Sequence, residues 1–207
     1  MRKSYLPFIA GMAFVAICLV NCSGNKQTEP AVNLSVAAEK PSFGGYETQV
    51  QWGEHLVTIA GCNDCHTPKK MTPMGPVDDT SLMLSGHPEK MPPPTVDRKD
   101  VESKGLVVTA SFTSWVGPWG ITYSANLTPD ETGTGKWTES QFLYAIKNSV
   151  SKGIPGSRSL LPPMALMPVK FMTDDELKAI YAYLRTIKPI KNSSVQPTPP
   201  VLAMKKQ

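Results

Sequence analysis

Apolar residues recur at helical spacing in the segment 46–60. Val50, Gly53 and Val57 follow one another at steps of three and four, and Leu56 and Ile59 widen the same face. This periodicity is typical of an amphipathic helix that buries one side. The segment therefore predicts a first helix that runs directly into the cysteine-containing residues after it.

Two more helices are predicted near the C-terminal end, each with a start signal. Thr138 is followed three residues later by Gln141, and Thr173 by Glu176, which are capping-box patterns. The first predicts a helix over residues 139–150. The second predicts a helix that continues until Pro189 stops it, and its buried face would be formed by Leu177, Ile180, Tyr181 and Leu184.

The chain from residue 67 to residue 137 has no long periodic segment. Gly, Pro, Ser and Thr interrupt it throughout, although 104–113 and 115–123 contain β-branched and aromatic residues suited to short strands. A long irregular stretch is uncommon unless it packs on something large. The fold class predicted is mainly α, with a long irregular insertion before the second helix.

The N-terminal segment differs from the rest of the chain. Arg2 and Lys3 precede an apolar run over residues 8–20, which is typical of an export signal, with an uncleaved anchor as the alternative. Cys22 lies where a bacterial lipoprotein would be processed and lipidated, which would tether the protein to a membrane. We therefore expect a signal peptide over residues 1–22.

The expected boundaries of the mature chain follow from composition. Residues 23–45 are polar and small, as in a flexible tether, residues 46–191 form the predicted domain, and residues 192–207 form a Pro-rich tail. Loss of the signal would remove two basic residues and no acidic one, which lowers the formal charge from +4 to +2. A charge so close to zero, without a basic run, gives no support for nucleic-acid binding.

The folded part contains two cysteines, in the sequence Cys62-Asn63-Asp64-Cys65-His66. This Cys-x-x-Cys-His pattern is the attachment motif of c-type haem, in which both thiols form thioethers with the vinyl groups. The adjacent His66 then provides the proximal ligand to the iron. The predicted cofactor is one covalently attached haem c.

Three other uses of this cysteine pair compete with haem attachment. A thioredoxin-like dithiol would follow a strand, whereas this pair follows a helix. A structural zinc site needs four ligands, and only His55 and His87 could complete it. The remaining alternative is a simple disulfide between Cys62 and Cys65.

A second axial ligand is expected from the Pro-flanked segment that precedes the last helix. Met164 and Met167 both lie in this segment, where proline restricts the backbone. A thioether ligand raises the reduction potential and suits electron transfer. His87, or an open coordination position, is the alternative, and an open position would indicate an enzyme or a gas sensor. His87 lies in a Gly-His-Pro sequence, however, where we expect its ring to hydrogen-bond within a turn.

Residues 51–190 resemble the class I-type bacterial cytochrome c domains, and look closest to the cytochrome c-553-like branch. That branch is related to the cytochrome subunits of membrane dehydrogenase complexes. The resemblance is carried by these stretches: 53–62, 84–88, 123–128, 135–138, 161–164 and 173–190. It implies a periplasmic electron carrier, not itself an enzyme, whose redox partners belong to a respiratory or dehydrogenase chain.

The resemblance also implies particular residue roles. In that family the methionine nine residues before the helix-capping threonine binds the iron, and counting back from Thr173 gives Met164. The first and last helices would cross with Gly53 beneath Tyr181 or Tyr183. A proline carbonyl after the motif would accept the N–H of His66, and the candidates are Pro68, Pro73 and Pro76.

Overall fold

The computed structural model describes residues 42–204 of the chain. The predicted domain over residues 46–191 lies entirely within this range. The predicted signal peptide, the candidate lipoprotein residue Cys22 and most of the predicted tether lie outside it.

The described part is mostly helical, with two small β-hairpins. The helices are α1 (Gln49–Ile59), α2 (Cys62–His66), α3 (Arg98–Ser103), α4 (Glu139–Lys147), α5 (Asp174–Leu184) and α6 (Val201–Met204). The strands are β1 (Lys69–Thr72), β2 (Gly75–Asp78), β3 (Ser114–Gly117) and β4 (Gly120–Tyr123), paired antiparallel as β1–β2 and β3–β4. The predicted mainly α fold, with a long irregular insertion before α4, is confirmed.

The main hydrophobic core lies where α1, α4 and α5 meet. Its buried side chains come from these three helices and from one residue of the insertion: Leu56, Val57, Leu84, Phe142, Leu177, Ala179, Ile180 and Leu184. Cys62 packs against this cluster from the start of α2. The motif is therefore attached to the larger of the two hydrophobic cores in the described part of the chain.

Helices α1 and α5 cross at Gly53, as the resemblance implied. A Cβ atom placed on Gly53 would lie 1.9 Å from the carbonyl oxygen of Ala179 and 2.9 Å from the Cβ of Tyr183. No side chain can occupy that space, so glycine is what permits the close approach of the two backbones. The crossing fixes the direction in which α1 delivers the chain to α2.

Three of the predicted helix ends differ from those observed. Helix α1 begins at Gln49, because Thr48 and Gln51 form a capping box that the periodicity did not reveal. Helix α5 ends at Leu184, before Pro189, and the Arg185 guanidinium donates hydrogen bonds to the carbonyls of the 134–135 loop. Helix α4 is shorter than expected and ends at Lys147, while its predicted capping box is present.

A single hairpin occupies the region 104–123 of the insertion, where two strand segments were predicted. β3 and β4 form it, whereas in segment 104–113 only Val108 pairs with a strand, exchanging two hydrogen bonds with Val116. A second small core, made by Val101, Val116 and Ile121, lies under this hairpin.

The C-terminal segment packs along the insertion. Ile121 of β4 exchanges both backbone hydrogen bonds with Thr198, at 2.8 and 2.9 Å. The Arg98 guanidinium donates to the Pro199 carbonyl at 2.7 Å, and the Asn192 side-chain amide donates to the carbonyl of His87 at 2.8 Å. This segment therefore adds a third extended chain beside β4.

Of the helices within residues 42–204, not one has the length and apolar character needed to cross a membrane.

Replacing Gly53 by alanine is expected to destabilise the fold by about 3 kcal/mol, because the new methyl group would force α1 and α5 apart. Urea unfolding followed by circular dichroism would measure this. Glu54→Ala, at the next and solvent-exposed position of the same helix, is the control and should change the free energy of unfolding by less than about 0.5 kcal/mol. Equal effects of the two substitutions would contradict the described crossing.

Candidate functional site

Helix α2 is a short helix that places Cys62 and Cys65 three positions apart. Residues with this separation lie on the same face of a helix. Both thiols are free and half-buried. The disulfide alternative is therefore wrong for this structure.

The pKa values of the two thiols are raised, whereas a redox-active pair has a thiol with a lowered pKa. Burial raises the pKa of the Cys62 thiol to about 11, with smaller contributions from Cys65 and Asp64. Burial also raises the pKa of Cys65, and the nearby Asp64 carboxylate adds to that effect. Catalytic thiols of the thioredoxin type have a lowered pKa. The environment does not favour thiol–disulfide chemistry at these residues.

The imidazole of His66 is held by a carbonyl from a distant part of the chain. Its Nδ1 lies 2.8 Å from the carbonyl oxygen of Ala125, 59 residues away in sequence. A carbonyl only accepts, so Nδ1 carries the proton and Nε2 keeps its lone pair. Burial lowers the pKa of His66, which keeps the ring neutral at pH 7, although the Ala125 hydrogen bond acts in the opposite direction.

This contact corrects the expectation that Pro68, Pro73 or Pro76 would accept the His66 proton. The Pro68 carbonyl accepts from the backbone N–H of Asp79 instead, at 2.8 Å. Pro68 directly precedes β1, Pro73 lies in the turn and Pro76 lies in β2, paired with β1. The hydrogen-bond partner of the His66 ring comes from another segment.

Two backbone contacts keep α2 and the Ala125 peptide together. The N–H of Gly86 donates to the His66 carbonyl at 2.7 Å. A Cβ atom on Gly86 would lie 2.5 Å from the carbonyl carbon of Ala125, and the φ of Gly86 is +80°. The residue must therefore be glycine both for space and for conformation.

The methionine segment lies just before α5. Met164 begins a 3₁₀ helix that ends at Leu166, and Met167 separates it from the next 3₁₀ helix, Pro168–Phe171. Both methionines are half-buried, whereas Leu166 between them is 74% exposed. The two predicted candidates therefore keep comparable positions in the fold.

His87 is not an available ligand. Its Nε2 donates to the Met91 carbonyl and its Nδ1 accepts from the Thr113 hydroxyl, both at 2.9 Å. The ring is buried beside Tyr123, with 4.9 Å between the ring centroids. The turn-stabilising role expected from the sequence is confirmed, with Thr113 as an additional partner.

A zinc site receives no support from the structure. Across residues 42–204, His, Cys, Asp and Glu side chains never gather in threes close enough to hold a metal ion.

The donor groups that are present fit a covalently attached haem. Two free thiols lie on one helix face, and the next residue offers an imidazole whose proton is fixed on Nδ1. The neutral imidazole, with its lone pair on Nε2, is the form that binds iron. In addition, Cys62 contacts the apolar core, which suits a large apolar cofactor.

Comparison with protein families decides the assignment. Residues 50–188 match the family model described as cytochrome c. The chain belongs to the cytochrome c family. The protein is thus an electron-transfer cytochrome with covalently bound haem c and the cytochrome c fold.

Curated relatives of this cytochrome are named as parts of dehydrogenases. It is 33% identical to the fructose dehydrogenase cytochrome subunit of Gluconobacter japonicus over 188 residues, which cover 90% of this chain and 29% of the relative. It is 37% identical to the cytochrome c subunit of a quinone alcohol dehydrogenase from Gluconacetobacter polyoxogenes over 82 residues, which cover 39% and 17% of the two chains.

A third relative is the gluconate 2-dehydrogenase cytochrome c subunit of Pantoea cypripedii. It is 36% identical over 67 residues, which cover 32% of this chain and 14% of the relative. This cytochrome thus spans less than a third of the length of each of these relatives.

The roles of two residues near the site could not be predicted from the sequence. Ala125 acts through its backbone carbonyl, which every residue possesses, so its identity gave no indication. Thr122 donates a hydrogen bond to the carbonyl of Pro162, in the methionine segment, at 2.8 Å. A threonine in a strand ordinarily reflects β-propensity alone. Only the tertiary contact between β4 and the methionine segment distinguishes it from other strand threonines.

The buried His87 of this cytochrome should make its stability fall as pH drops below about 6.5. Burial lowers the pKa of His87 below 6.5, despite the opposing Met91 hydrogen bond. As pH falls, the unfolded chain therefore binds a proton on His87 at a higher pH than the folded chain does. The free energy of unfolding then falls as pH drops below 6.5, by at most about 1.4 kcal/mol per pH unit.

His87→Gln removes this titration and should make the decline less steep, which urea unfolding at pH 7.5, 6.0 and 5.0 would measure. His66, whose pKa burial also lowers, contributes equally to wild type and variant. The lowered pKa values of Asp79, Asp130 and Asp174 act only below about pH 4, so they lie outside this window. Parallel pH profiles of wild type and variant would refute the assignment to His87.

Proposed function

We propose that this chain holds a single haem through thioether bonds from Cys62 and Cys65, with His66 as the proximal ligand. The hydrogen bond from His66 Nδ1 to the Ala125 carbonyl is the observation that carries this proposal. It orients the ring and leaves Nε2 free for the metal, as the hydrogen-bond partners of metal-binding histidines do. When bound, the haem iron supplies a one-electron couple between ferrous and ferric states.

Met164 is proposed as the second axial ligand. It opens a 3₁₀ helix directly after Pro162 and Pro163, and proline limits the freedom of the segment that carries its sulfur. The resemblance to class I-type domains favours Met164 over Met167 by its distance from Thr173. With both axial positions filled, the iron has no position open to a substrate, so the protein acts as a relay and not as a catalyst.

The proposed location is the periplasm, on the outer face of a membrane. Residues 1–22 have the pattern of an export signal, and Cys22 is proposed as the lipidated residue. Residues 23–45 would then tether the haem domain, residues 46–191, and residues 192–207 would form its C-terminal tail. Several acyl chains on one cysteine give firm attachment, where a single chain is marginal.

The proposed partner is the catalytic subunit of a dehydrogenase. Relatives bear the names of cytochrome subunits of fructose and alcohol dehydrogenases, which supports a similar assembly here. Their names also suit the proposed place of this chain in the cytochrome c-553-like branch. Copurification of a catalytic subunit from detergent-solubilised membranes would support this partner, whereas isolation of the cytochrome alone would contradict it.

Met164→Ala is expected to remove the far-red absorption band that a methionine sulfur produces on ferric haem, and to lower the reduction potential. The loss of the thioether removes a ligand that stabilises ferrous iron. Absorption spectroscopy and a redox titration of the holoprotein, made in a host that matures c-type cytochromes, would measure both changes.

Met167→Ala is the matched control, because it removes the same side chain three residues away. It should keep both the band and the potential. If Met167→Ala loses the band and Met164→Ala keeps it, the ligand assignment is reversed. A wild-type protein without the band would exclude methionine ligation altogether.

A further inference from the structure

Strand β4 and the residues after it contact both segments that carry the proposed axial ligands. At one end, the Ala125 carbonyl accepts the proton of His66 Nδ1. Three residues earlier, the Thr122 hydroxyl donates to the Pro162 carbonyl, two residues before Met164. About 10 Å of extended backbone therefore connects the two proposed ligand segments.

A hydrogen bond from Thr122 ties the methionine segment, residues 161–167, to strand β4. Residues 161–167 otherwise form local backbone bonds, such as Met167 N–H to the Met164 carbonyl at 3.2 Å. Within the described range, the Thr122–Pro162 contact is the hydrogen bond that joins this segment to another element. Local bonds can shape the loop but cannot fix its position relative to the rest of the domain.

Thr122 is itself held in a defined orientation. The indole N–H of Trp119 donates to the Thr122 Oγ1 at 3.2 Å, which directs the hydroxyl proton towards the Pro162 carbonyl. The Trp119 ring lies over Gly117, where a Cβ atom would come within 2.7 Å of the ring. Hydrogen bonds in such a chain strengthen one another, and Thr122 is only 7% exposed.

The strand that carries Thr122 is supported on both sides. β3 pairs with it through the register Trp115↔Thr122, and on the other side Ile121 pairs with Thr198 of the C-terminal segment. A hydroxyl on such a strand is a fixed point from which a loop can be positioned.

We propose that Thr122 is a positioning residue for Met164: its hydroxyl fixes the Pro162 carbonyl and thereby holds the methionine sulfur in place for the iron. This inference rests on the proposed function, in which Met164 is the axial ligand. Thr122 does not touch the metal in this account, and its effect passes through the backbone of residues 162–164.

Imidazole competes with methionine for ferric haem, so its affinity measures how firmly the sulfur is held. Thr122→Val keeps the shape of the side chain and removes the hydroxyl. It should bind imidazole about fivefold more tightly, which corresponds to the loss of one hydrogen bond of about 1 kcal/mol. The dissociation constant is read from absorbance changes of the ferric holoprotein.

Two variants separate positioning from general destabilisation. Thr122→Ser restores the hydroxyl and should return the imidazole affinity towards the wild-type value. Thr134→Val removes a comparable hydroxyl that bonds the Leu127 and Thr128 carbonyls, away from the methionine segment. It should lower the thermal midpoint and leave the imidazole affinity unchanged.

Trp119→Phe provides a second route if Thr122→Val yields too little holoprotein. It keeps an aromatic ring and removes the donor to Thr122, so the imidazole affinity should rise in the same direction by a smaller factor. Thr134→Val is the reference for both variants. If Thr122→Val or Trp119→Phe binds imidazole with the same affinity as Thr134→Val, the positioning role is overturned.

The same spectra distinguish this inference from the proposed function. If wild type shows the far-red methionine band and Met164→Ala loses it, while Thr122→Val binds imidazole as Thr134→Val does, only the positioning role fails. If wild type lacks the band and Met164→Ala binds imidazole as wild type does, the axial assignment fails and the positioning role fails with it.

Discussion

The hydrogen bond between His66 and the Ala125 carbonyl is the constraint on which the site depends. It joins two segments 59 residues apart and fixes the proton on Nδ1, which leaves the other ring nitrogen with its lone pair. Gly86 packs against the same peptide and also binds the His66 carbonyl. The irregular insertion therefore has a structural purpose, because it supplies the backbone that holds the imidazole.

The helices provide the frame for this contact. Gly53 lets α1 and α5 approach closely, and α1 leads through Gly61 into the two thiols of α2. The same core contacts Cys62, so protein side chains alone already pack against the attachment motif. The C-terminal segment and β3 hold β4 from either side, which stabilises the insertion that faces the motif.

The helical frame and the attachment motif could be predicted from the sequence because their signals are local. The capping boxes at Thr138 and Thr173 mark helix starts within four residues, and Cys-x-x-Cys-His is contiguous. Contacts made by backbone carbonyls could not be predicted, since Ala125 and Pro162 act through an atom that every residue has. Ile59 falls on the predicted buried stripe yet is 64% exposed, because it lies at the last turn of α1.

In the proposed holoprotein, both sulfurs of α2 are bonded to a haem. Trypsin cleavage after Lys26 and Lys69 releases residues 27–69 as one peptide that contains Cys62 and Cys65, since Lys40 precedes a proline and resists cleavage. Mass spectrometry of this peptide, from denatured protein made in a host that matures c-type cytochromes, should find it heavier by the mass of one haem, with no thiol left to alkylate. An unmodified peptide with two alkylated cysteines would contradict the account.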